Sequence, residues 1–184
     1  MILHLVRHGQ SAWNLERRLQ GQTPDVPLTE QGHAEAASVA ELLAGRPVSA
    51  IWSSDQVRAL QTADAVSRAL GVPVQATPAL REQGLGRLEG LSYDDLIEEP
   101  VPDGVHISEV RWGGGESVRD VHERLTIFMA GLPDVDGEVV LVSHGDTLRI
   151  LLAVLDGRDY RSVEWHEFGN GEVRTTTWPD SLPP

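Results

Sequence analysis

Short apolar runs that end at a polar turn recur along the chain and predict buried strands. These runs span residues 2–6, 48–52 and 138–142, and an alternating segment at 171–178 predicts one more strand. The first and third runs end in nearly the same way, in the sequences LVRHG (5–9) and LVSHG (141–145). We therefore expect two strands that each deliver a histidine and a glycine to the following loop.

Apolar residues at helical spacing predict four helices between these strands. The predicted helices cover residues 30–44, a stretch from Ser53 or Ser54 to about residue 70, residues 117–130 and residues 146–155. Thr29 is the predicted N-cap of the first helix, and Ser53 or Ser54 is that of the second. A glycine follows closely on each predicted helix and marks its end.

Strands that alternate with helices predict an α/β fold, with three layers (α/β/α) around a mainly parallel central sheet. A length of 184 residues with 40% hydrophobic residues suits one domain, residues 1–178, followed by a tail at 179–184 that is expected to fray. Residues 84–115 are rich in glycine, proline and acidic residues. They are predicted to form a cap or lid with a short helix at 92–99.

The composition excludes several kinds of chemistry. The net charge is −13, which disfavours nucleic acid as a partner. All 15 basic residues are arginine, so Schiff-base and P-loop lysine mechanisms are excluded, and the absence of cysteine excludes thiolate nucleophiles. With no signal-peptide pattern and no apolar run near the ~18 residues of a membrane span, we expect a cytoplasmic protein without a membrane partner. Nothing in the sequence indicates its oligomeric state.

Two histidines and two arginines are the candidate residues of an active site. The carboxyl ends of parallel strands meet at one edge of a sheet, where His8 and His144 would come together. Arg7 precedes His8, and Arg58 falls in the first turn of the helix after the second strand. Guanidinium groups and helix-end amides bind tetrahedral dianions, so this set predicts phosphoryl chemistry. No metal site is expected, because Asp146 near His144 has no second cluster of ligands to join.

Several longer motifs carry a resemblance to a known family. They are LVRHGQSAWN (5–14), LTEQG (28–32), SSDQVRALQTA (53–63), LREQGLGRLEG (80–90), GGES (114–117) and LVSHGDTLR (141–149). In this order and spacing they resemble the histidine phosphatase superfamily, the family of cofactor-dependent phosphoglycerate mutases. The resemblance covers most of the chain, and it implies a phosphoglycerate mutase-like fold.

The resemblance implies a role for each matching residue. His8 would be the residue that becomes phosphorylated, Glu82 the proton donor, and Arg7, Arg58 and His144 the rest of the catalytic set. The implied phosphate contacts are Arg7, Ser11, Asn14, Gln20, Gly21, Arg58 and Gly145. Glu89 and Glu116 are nearby carboxylates that compete with Glu82 for its role. Trp112 is expected to anchor the lid, with substrate contact as the alternative.

The lid sequence favours one branch of the family. A mutase must hold a doubly anionic substrate, yet between residues 82 and 110 the chain has Arg87 as its only formal cation among several acidic residues. We therefore expect a phosphatase that hydrolyses small phosphorylated metabolites through a phosphohistidine, with neither metal nor other cofactor. The alternatives are a mutase-type phosphoryl transferase and a non-catalytic phosphate-binding module.

Overall fold

Five strands form one mixed sheet at the centre of the computed structural model, which describes residues 1–97 and 99–178. The strands are β1 (Ile2–Arg7), β2 (Val48–Ser54), β3 (Val74–Thr77), β4 (Glu138–Ser143) and β5 (Val173–Thr177). Their order across the sheet is β3-β2-β4-β1-β5. The first four strands are parallel, and β5 pairs antiparallel with β1 at the edge. The predicted mainly parallel sheet is confirmed.

Helices cover both faces of this sheet. They are α1 (Ala12–Leu15), α2 (Glu30–Leu43), α3 (Val57–Leu70), α4 (Val118–Ala130) and α5 (Gly145–Leu155). Buried residues of α4 and α5 form one core with one face of the sheet, and those of α2 and α3 form a second core with the other face. Side chains alternate between the faces, so that Leu3 and Leu5 join the first core and Val6 joins the second. The three-layer α/β/α prediction is thus confirmed.

The structure corrects several local predictions. Ser53 and Ser54 belong to β2 and cap no helix; α3 begins at Val57, with Gln56 in the cap position. The short helix α1 and the short strand β3 were not predicted, because four-residue elements carry too little periodicity to be recognised. Residues 92–99 do not form the predicted helix: they contain a single 3-10 turn at Tyr93–Asp95, and residue 98 lies outside the described residues. Ser92 is the N-cap of that turn.

The lid region is a chain of short turns. Between residues 84 and 115 the structure has 3-10 turns at Gly86–Leu88, Tyr93–Asp95, Ile107–Glu109 and Trp112–Gly114. The predicted fraying of the tail at 179–184 falls outside the described residues. Within the described ranges no helix is long and apolar enough to cross a membrane. A cytoplasmic location and a single domain stay predictions.

Pairing of β1 with β4 brings the two histidine loops together. Arg7, the last residue of β1, lies in register with Ser143, the last residue of β4. His8 and His144 therefore leave the sheet side by side at its carboxyl-terminal edge. The backbone N–H of His8 donates to the carbonyl oxygen of Ser143 at 3.0 Å, which extends the ladder by one residue.

Two glycines allow the loop after His8 to pack closely against the start of α2. A Cβ on Gly9 would overlap the carbonyl group of Gly32, and a Cβ on Gly32 would overlap the carbonyl group of Gln10. Thr29 caps α2 by accepting from the N–H of Gly32, and its own N–H donates to the Gln10 carbonyl at 2.9 Å. The residues just after His8 are held by backbone contacts that only glycine permits.

Replacement of Gly32 tests this close approach. Alanine favours helix over glycine by about 1 kcal/mol, so Gly32→Ala would stabilise α2 if its methyl group had space. Because the methyl group would overlap the Gln10 carbonyl, we expect the free energy of unfolding in urea to fall by about 1–3 kcal/mol.

Gly131→Ala is the matched control. Its φ of −94° suits alanine, and the nearest atom to a new Cβ is 3.5 Å away. We expect this variant to change the unfolding free energy by less than about 1 kcal/mol. Equal stabilities of the two variants would contradict the close packing at Gly32.

Candidate active site

A polar cavity of about 230 Å³ opens at the carboxyl-terminal edge of the sheet. Eight of the residues expected from the sequence line it: Arg7, His8, Asn14, Gln20, Gly21, Arg58, Glu82 and Gly145. Two do not, namely Ser11 and His144, which are both fully buried behind it. The topology thus collects side chains from the ends of β1 and β4 and from the start of α3 into one space.

His8 is buried at the floor of the cavity and is held in one orientation. Its Nδ1 lies 2.7 Å from the carbonyl oxygen of Gly9. Because a carbonyl can only accept, Nδ1 carries the proton, and Nε2 keeps its lone pair. Burial, with the charges of Arg58 and Arg7, holds the pKa of His8 well below 6.5. His8 is therefore a neutral imidazole at pH 7, with a free nitrogen to act as a nucleophile.

His144 lies directly behind His8. The centroids of the two rings are 5.1 Å apart, with an angle of 62° between the ring planes. Nε2 of His144 lies 2.8 Å from the hydroxyl of Ser54, and its Nδ1 is buried without a partner in the described structure. Burial and the charge of Arg58 hold the pKa of His144 well below 6.5. Ser54 positions this ring, a role that its place in the chain did not indicate.

Arg58 is completely buried, and its side chain is fixed by backbone carbonyls. Its two terminal nitrogens donate to Thr23 and Gly21, each at 2.9 Å. Gly21 has φ +45°, and a side chain there would overlap Glu89, so glycine is needed to aim its carbonyl at the guanidinium. Burial lowers the pKa of Arg58 to about 10, which leaves it charged at pH 7.

Arg7 is the second arginine that lines the cavity. Its Nη1 donates to the carbonyl of Phe168, and burial lowers its pKa. Nε of Arg7 and Nε of Arg58 are both buried without a partner among the described residues. Buried donors are nearly always paired in proteins, so each guanidinium keeps an N–H group without its usual partner. Two such arginines in the wall of one cavity are suited to an anion with several acceptor oxygens.

Hydrogen bonding separates Glu82 from the two competing carboxylates. Glu116 accepts from Gly84 N and from Arg124, and Glu89 accepts from Gln22 N and Leu85 N; both therefore bind loop backbone. Neither carboxylate lines the cavity.

Glu82 does line the cavity, and one of its oxygens is fixed. Oε1 accepts from the N–H and the hydroxyl of Thr147, at 3.1 and 3.0 Å, and from Gln83 N at 3.0 Å. These bonds tether the carboxylate to the first turn of α5. The second oxygen is left to act on a bound molecule.

Ser11, Asn14 and Gln20 form a polar network at the rim. Ser11 caps α1, and its hydroxyl donates to Gln20 Oε1 at 2.7 Å. Asn14 Oδ1 accepts from Ser11 N at 3.0 Å and from the side chain of Asn170 at 3.2 Å. Because both amide oxygens are occupied, the Asn14 and Gln20 amide nitrogens are the groups free to donate into the cavity. Ser11 supports these two residues from behind.

The first turn of α5 contributes its amide groups. His144 occupies the N-cap position but makes no side-chain capping bond, and Gly145 lines the cavity at the first turn. Helix N-termini attract anions through unpaired N–H groups and the helix dipole. This end of α5 adds positive potential to that of Arg7 and Arg58.

Six further residues of the cavity wall were not predicted from the sequence: Leu19, Gln83, Leu85, Tyr93, Asp146 and Arg149. Asp146 and Arg149 stand in the LVSHGDTLR motif and form an ion pair at 2.5 Å. Partial burial and the nearby charge of Glu82 raise the pKa of Asp146 to about 6. The position of Asp146 and Arg149 in that motif could have indicated a place in the site. Tyr93 comes from the lid, whose sequence has no pattern that would have identified it.

Metal-ligating side chains are not clustered here. In residues 1–97 and 99–178 no group of three or more histidine, aspartate and glutamate side chains is placed to hold a metal ion.

Comparison with known proteins identifies the family. The family model described as "Histidine phosphatase superfamily (branch 1)" matches residues 3–183 of the chain. The chain belongs to the histidine phosphatase superfamily. The resemblance inferred from the short motifs is therefore confirmed, and the protein is an enzyme of this superfamily.

Curated relatives and solved structures point to two activities within the superfamily. A 2,3-bisphosphoglycerate-dependent phosphoglycerate mutase 2 of Gloeobacter violaceus is 40% identical over 89% of this chain and 79% of its own length. A mycobacterial glucosyl-3-phosphoglycerate phosphatase has a similar structure, with a TM-score of 0.80 and 30% identity, covering 95% of this chain and 90% of that one. A putative alpha-ribazole-5'-P phosphatase from Escherichia coli has a TM-score of 0.84 at 27% identity, over 95% and 89% of the two chains.

The neutral histidines of this site predict a dependence of stability on pH. An unfolded histidine takes up a proton around pH 6.5, whereas His8 and His144 stay neutral in the folded state until the pH is well below that value. Protonation therefore stabilises the unfolded chain as the pH falls below 6.5. At pH 5.5 we expect each histidine to lower the free energy of unfolding by about 1 kcal/mol relative to pH 7.5.

Urea unfolding of the native protein and of His8→Gln at both pH values measures this effect. The variant lacks one of the two titrating groups, so its loss of stability should be smaller by about 1 kcal/mol. Identical pH dependence in the two proteins would mean that His8 is protonated as readily in the folded state as in the unfolded state.

Proposed function

We propose that the protein is a metal-independent phosphatase, which hydrolyses small phosphomonoesters through a phosphohistidine on His8. One observation carries this proposal: a neutral imidazole with a free Nε2 lines the same cavity as two buried arginines, Arg7 and Arg58. A phosphate group offers acceptors to both guanidiniums while it presents its phosphorus to His8.

In the first step, Nε2 of His8 attacks phosphorus and the bond to the ester oxygen breaks. Glu82 in its protonated form gives a proton to the departing oxygen, which leaves as an alcohol. Arg7, Arg58 and the N-terminus of α5 stabilise the charge on the transferring group. His144 packs against the ring of His8 and, held by Ser54 at its Nε2, keeps the nucleophile in position.

In the second step, water attacks the phosphohistidine. Glu82 is now ionised, and it accepts a proton from that water as the bond between nitrogen and phosphorus breaks. Inorganic phosphate leaves, His8 returns to its neutral form and Glu82 is again protonated. The cycle consumes one ester and one water, and it needs no metal ion to balance.

The cations around the cavity favour hydrolysis over mutase chemistry. A mutase holds a second anionic group of its substrate, which requires a cation beyond the phosphate site. Arg149 is neutralised by Asp146, and Arg87 pairs with Glu99 at 2.5 Å on the surface and does not line the cavity. Both candidate cations are therefore already paired.

A phosphoglycerate mutase is the second candidate, because the relative of Gloeobacter violaceus that is 40% identical to this chain carries that name. This function predicts interconversion of 2- and 3-phosphoglycerate that depends on a bisphosphoglycerate primer. We expect phosphate release to exceed this interconversion. A faster, primer-dependent interconversion would favour the mutase instead.

Substitution of His8 tests the phosphatase. The native protein should hydrolyse p-nitrophenyl phosphate in excess chelator, and His8→Ala should be slower by at least about a thousandfold. Radiolabelled phosphomonoester should leave an alkali-stable, acid-labile label on the native protein and none on His8→Ala. Loss of native turnover on chelation would rule out the metal-free mechanism. Phosphate binding with no turnover on any ester would identify a non-catalytic phosphate-binding module.

Substitution of Glu82 tests the proton donor. We expect Glu82→Gln to lower kcat for an alkyl phosphate by about 10²–10⁴, because an alcohol leaves poorly without a proton. The loss should be smaller for p-nitrophenyl phosphate, whose leaving group needs little protonation. Glu41→Gln, at an exposed position near the end of α2, should match the native rates. Equal losses on both esters would argue that Glu82 only supports the structure.

A further inference from the structure

A second hollow, of about 360 Å³, adjoins the phosphate cavity. Its wall is mostly apolar and aromatic, and includes Leu19, Leu85, Tyr93, Ile107, Trp112 and Trp165. Leu19, Leu85 and Tyr93 line both spaces. The two spaces therefore share a wall, and the hollow lies beside the position that a phosphate against His8 would occupy.

Charge in the hollow disfavours anionic groups. Among the described residues that line it, Asp146 is the one carboxylate, and no arginine is present. The partner of Asp146, Arg149, lines the phosphate cavity but not the hollow. A carboxylate or second phosphate on the leaving group would find no free cation in this wall, because Asp146, the one charged residue among the described lining residues, is already paired with Arg149.

Large apolar side chains are exposed at the mouth of the hollow. Ile107 is 57% exposed, Trp165 54% and Tyr93 50%. They come from three separate segments of the chain, yet they line the same space. Burial of such surface against an apolar ligand is favourable, and a cluster of exposed apolar side chains beside a polar site is typical of ligand recognition.

We propose that this hollow, defined by the six residues named above, binds the leaving group, and that the preferred substrates are phosphomonoesters of apolar or aromatic alcohols. The inference rests on the proposed phosphatase function, because it assigns the ester oxygen to the side of the phosphate that faces Leu19 and Leu85. Trp112 then contacts the substrate as well as anchoring the lid.

A series of n-alkyl phosphates from ethyl to octyl tests the proposal. All are esters of primary alcohols, so their chemical reactivity is similar. Differences in kcat/KM along the series therefore report contacts of the alkyl group with the protein. Full burial of one methylene group strengthens binding by about fourfold. Partial burial of the longer alkyl group should therefore raise kcat/KM at least about tenfold from ethyl to octyl phosphate. Glycerol phosphate and 3-phosphoglycerate, with polar or anionic leaving groups, should be poorer substrates than butyl phosphate.

Two variants connect this preference to the hollow. Ile107→Asp adds a carboxylate and Trp165→Ser removes an apolar ring, and both positions are exposed enough to spare the core. Each should lower the ratio of kcat/KM for octyl over ethyl phosphate at least about threefold. Leu42→Asp is the control: this residue is 64% exposed near the end of α2, away from the cavity, and the ratio should not change.

The outcomes separate the two proposals. Phosphate release from the series, abolished in His8→Ala but independent of chain length, would overturn the leaving-group assignment and leave the phosphatase intact. A higher kcat/KM for 3-phosphoglycerate than for butyl phosphate would also overturn it. Absence of phosphate release from every ester would overturn both.

Discussion

The site depends on the parallel pairing of β1 with β4. That pairing aligns Arg7 with Ser143 and sends the next residue of each strand, His8 and His144, into adjacent loops at one edge of the sheet. Strands that are distant in sequence thereby place two imidazoles 5.1 Å apart between centroids, with the N-terminus of α5 beside them. Contacts of Gly9 and Gly32 then hold the His8 loop against α2. Every other group in the cavity is arranged around these two loops.

Burial of positive charge determines the chemical state of the site. Arg58 is fully buried and fixed by the carbonyls of Gly21 and Thr23, and Arg7 is held by the carbonyl of Phe168. Desolvation by burial, together with the charges of Arg58 and Arg7, lowers the pKa of His8 and keeps it neutral, which is the form that can attack phosphorus. The same arrangement costs stability in acid, because neutral buried histidines favour the unfolded chain when protons are abundant. Reactivity and acid sensitivity thus have one physical cause.

Residues within a single motif have different physical roles. In the motif at residues 80–90, Glu82 lines the cavity, while Glu89 binds the backbone of the Gln22 and Leu85 loops. In the first motif, His8 and Asn14 line the cavity, while Ser11 caps α1 behind them. Proximity in sequence brings such residues into the same region, and hydrogen-bond partners from other segments decide which of them face the cavity.

Much of this protein was determined by local sequence. Apolar periodicity predicted four of the five strands and four of the five helices, because long amphipathic elements repeat their pattern many times. The order of strand ends predicted that Arg7, His8 and His144 would meet, because parallel strands share an edge. Only the tertiary structure decided the rest: that His144 lies behind His8 against Ser54, that Glu82 alone of three carboxylates lines the cavity, and that Asp146 neutralises Arg149. Those outcomes depend on contacts between segments that are distant in sequence. They also depend on the irregular lid, whose short turns have no periodic pattern that would predict their positions.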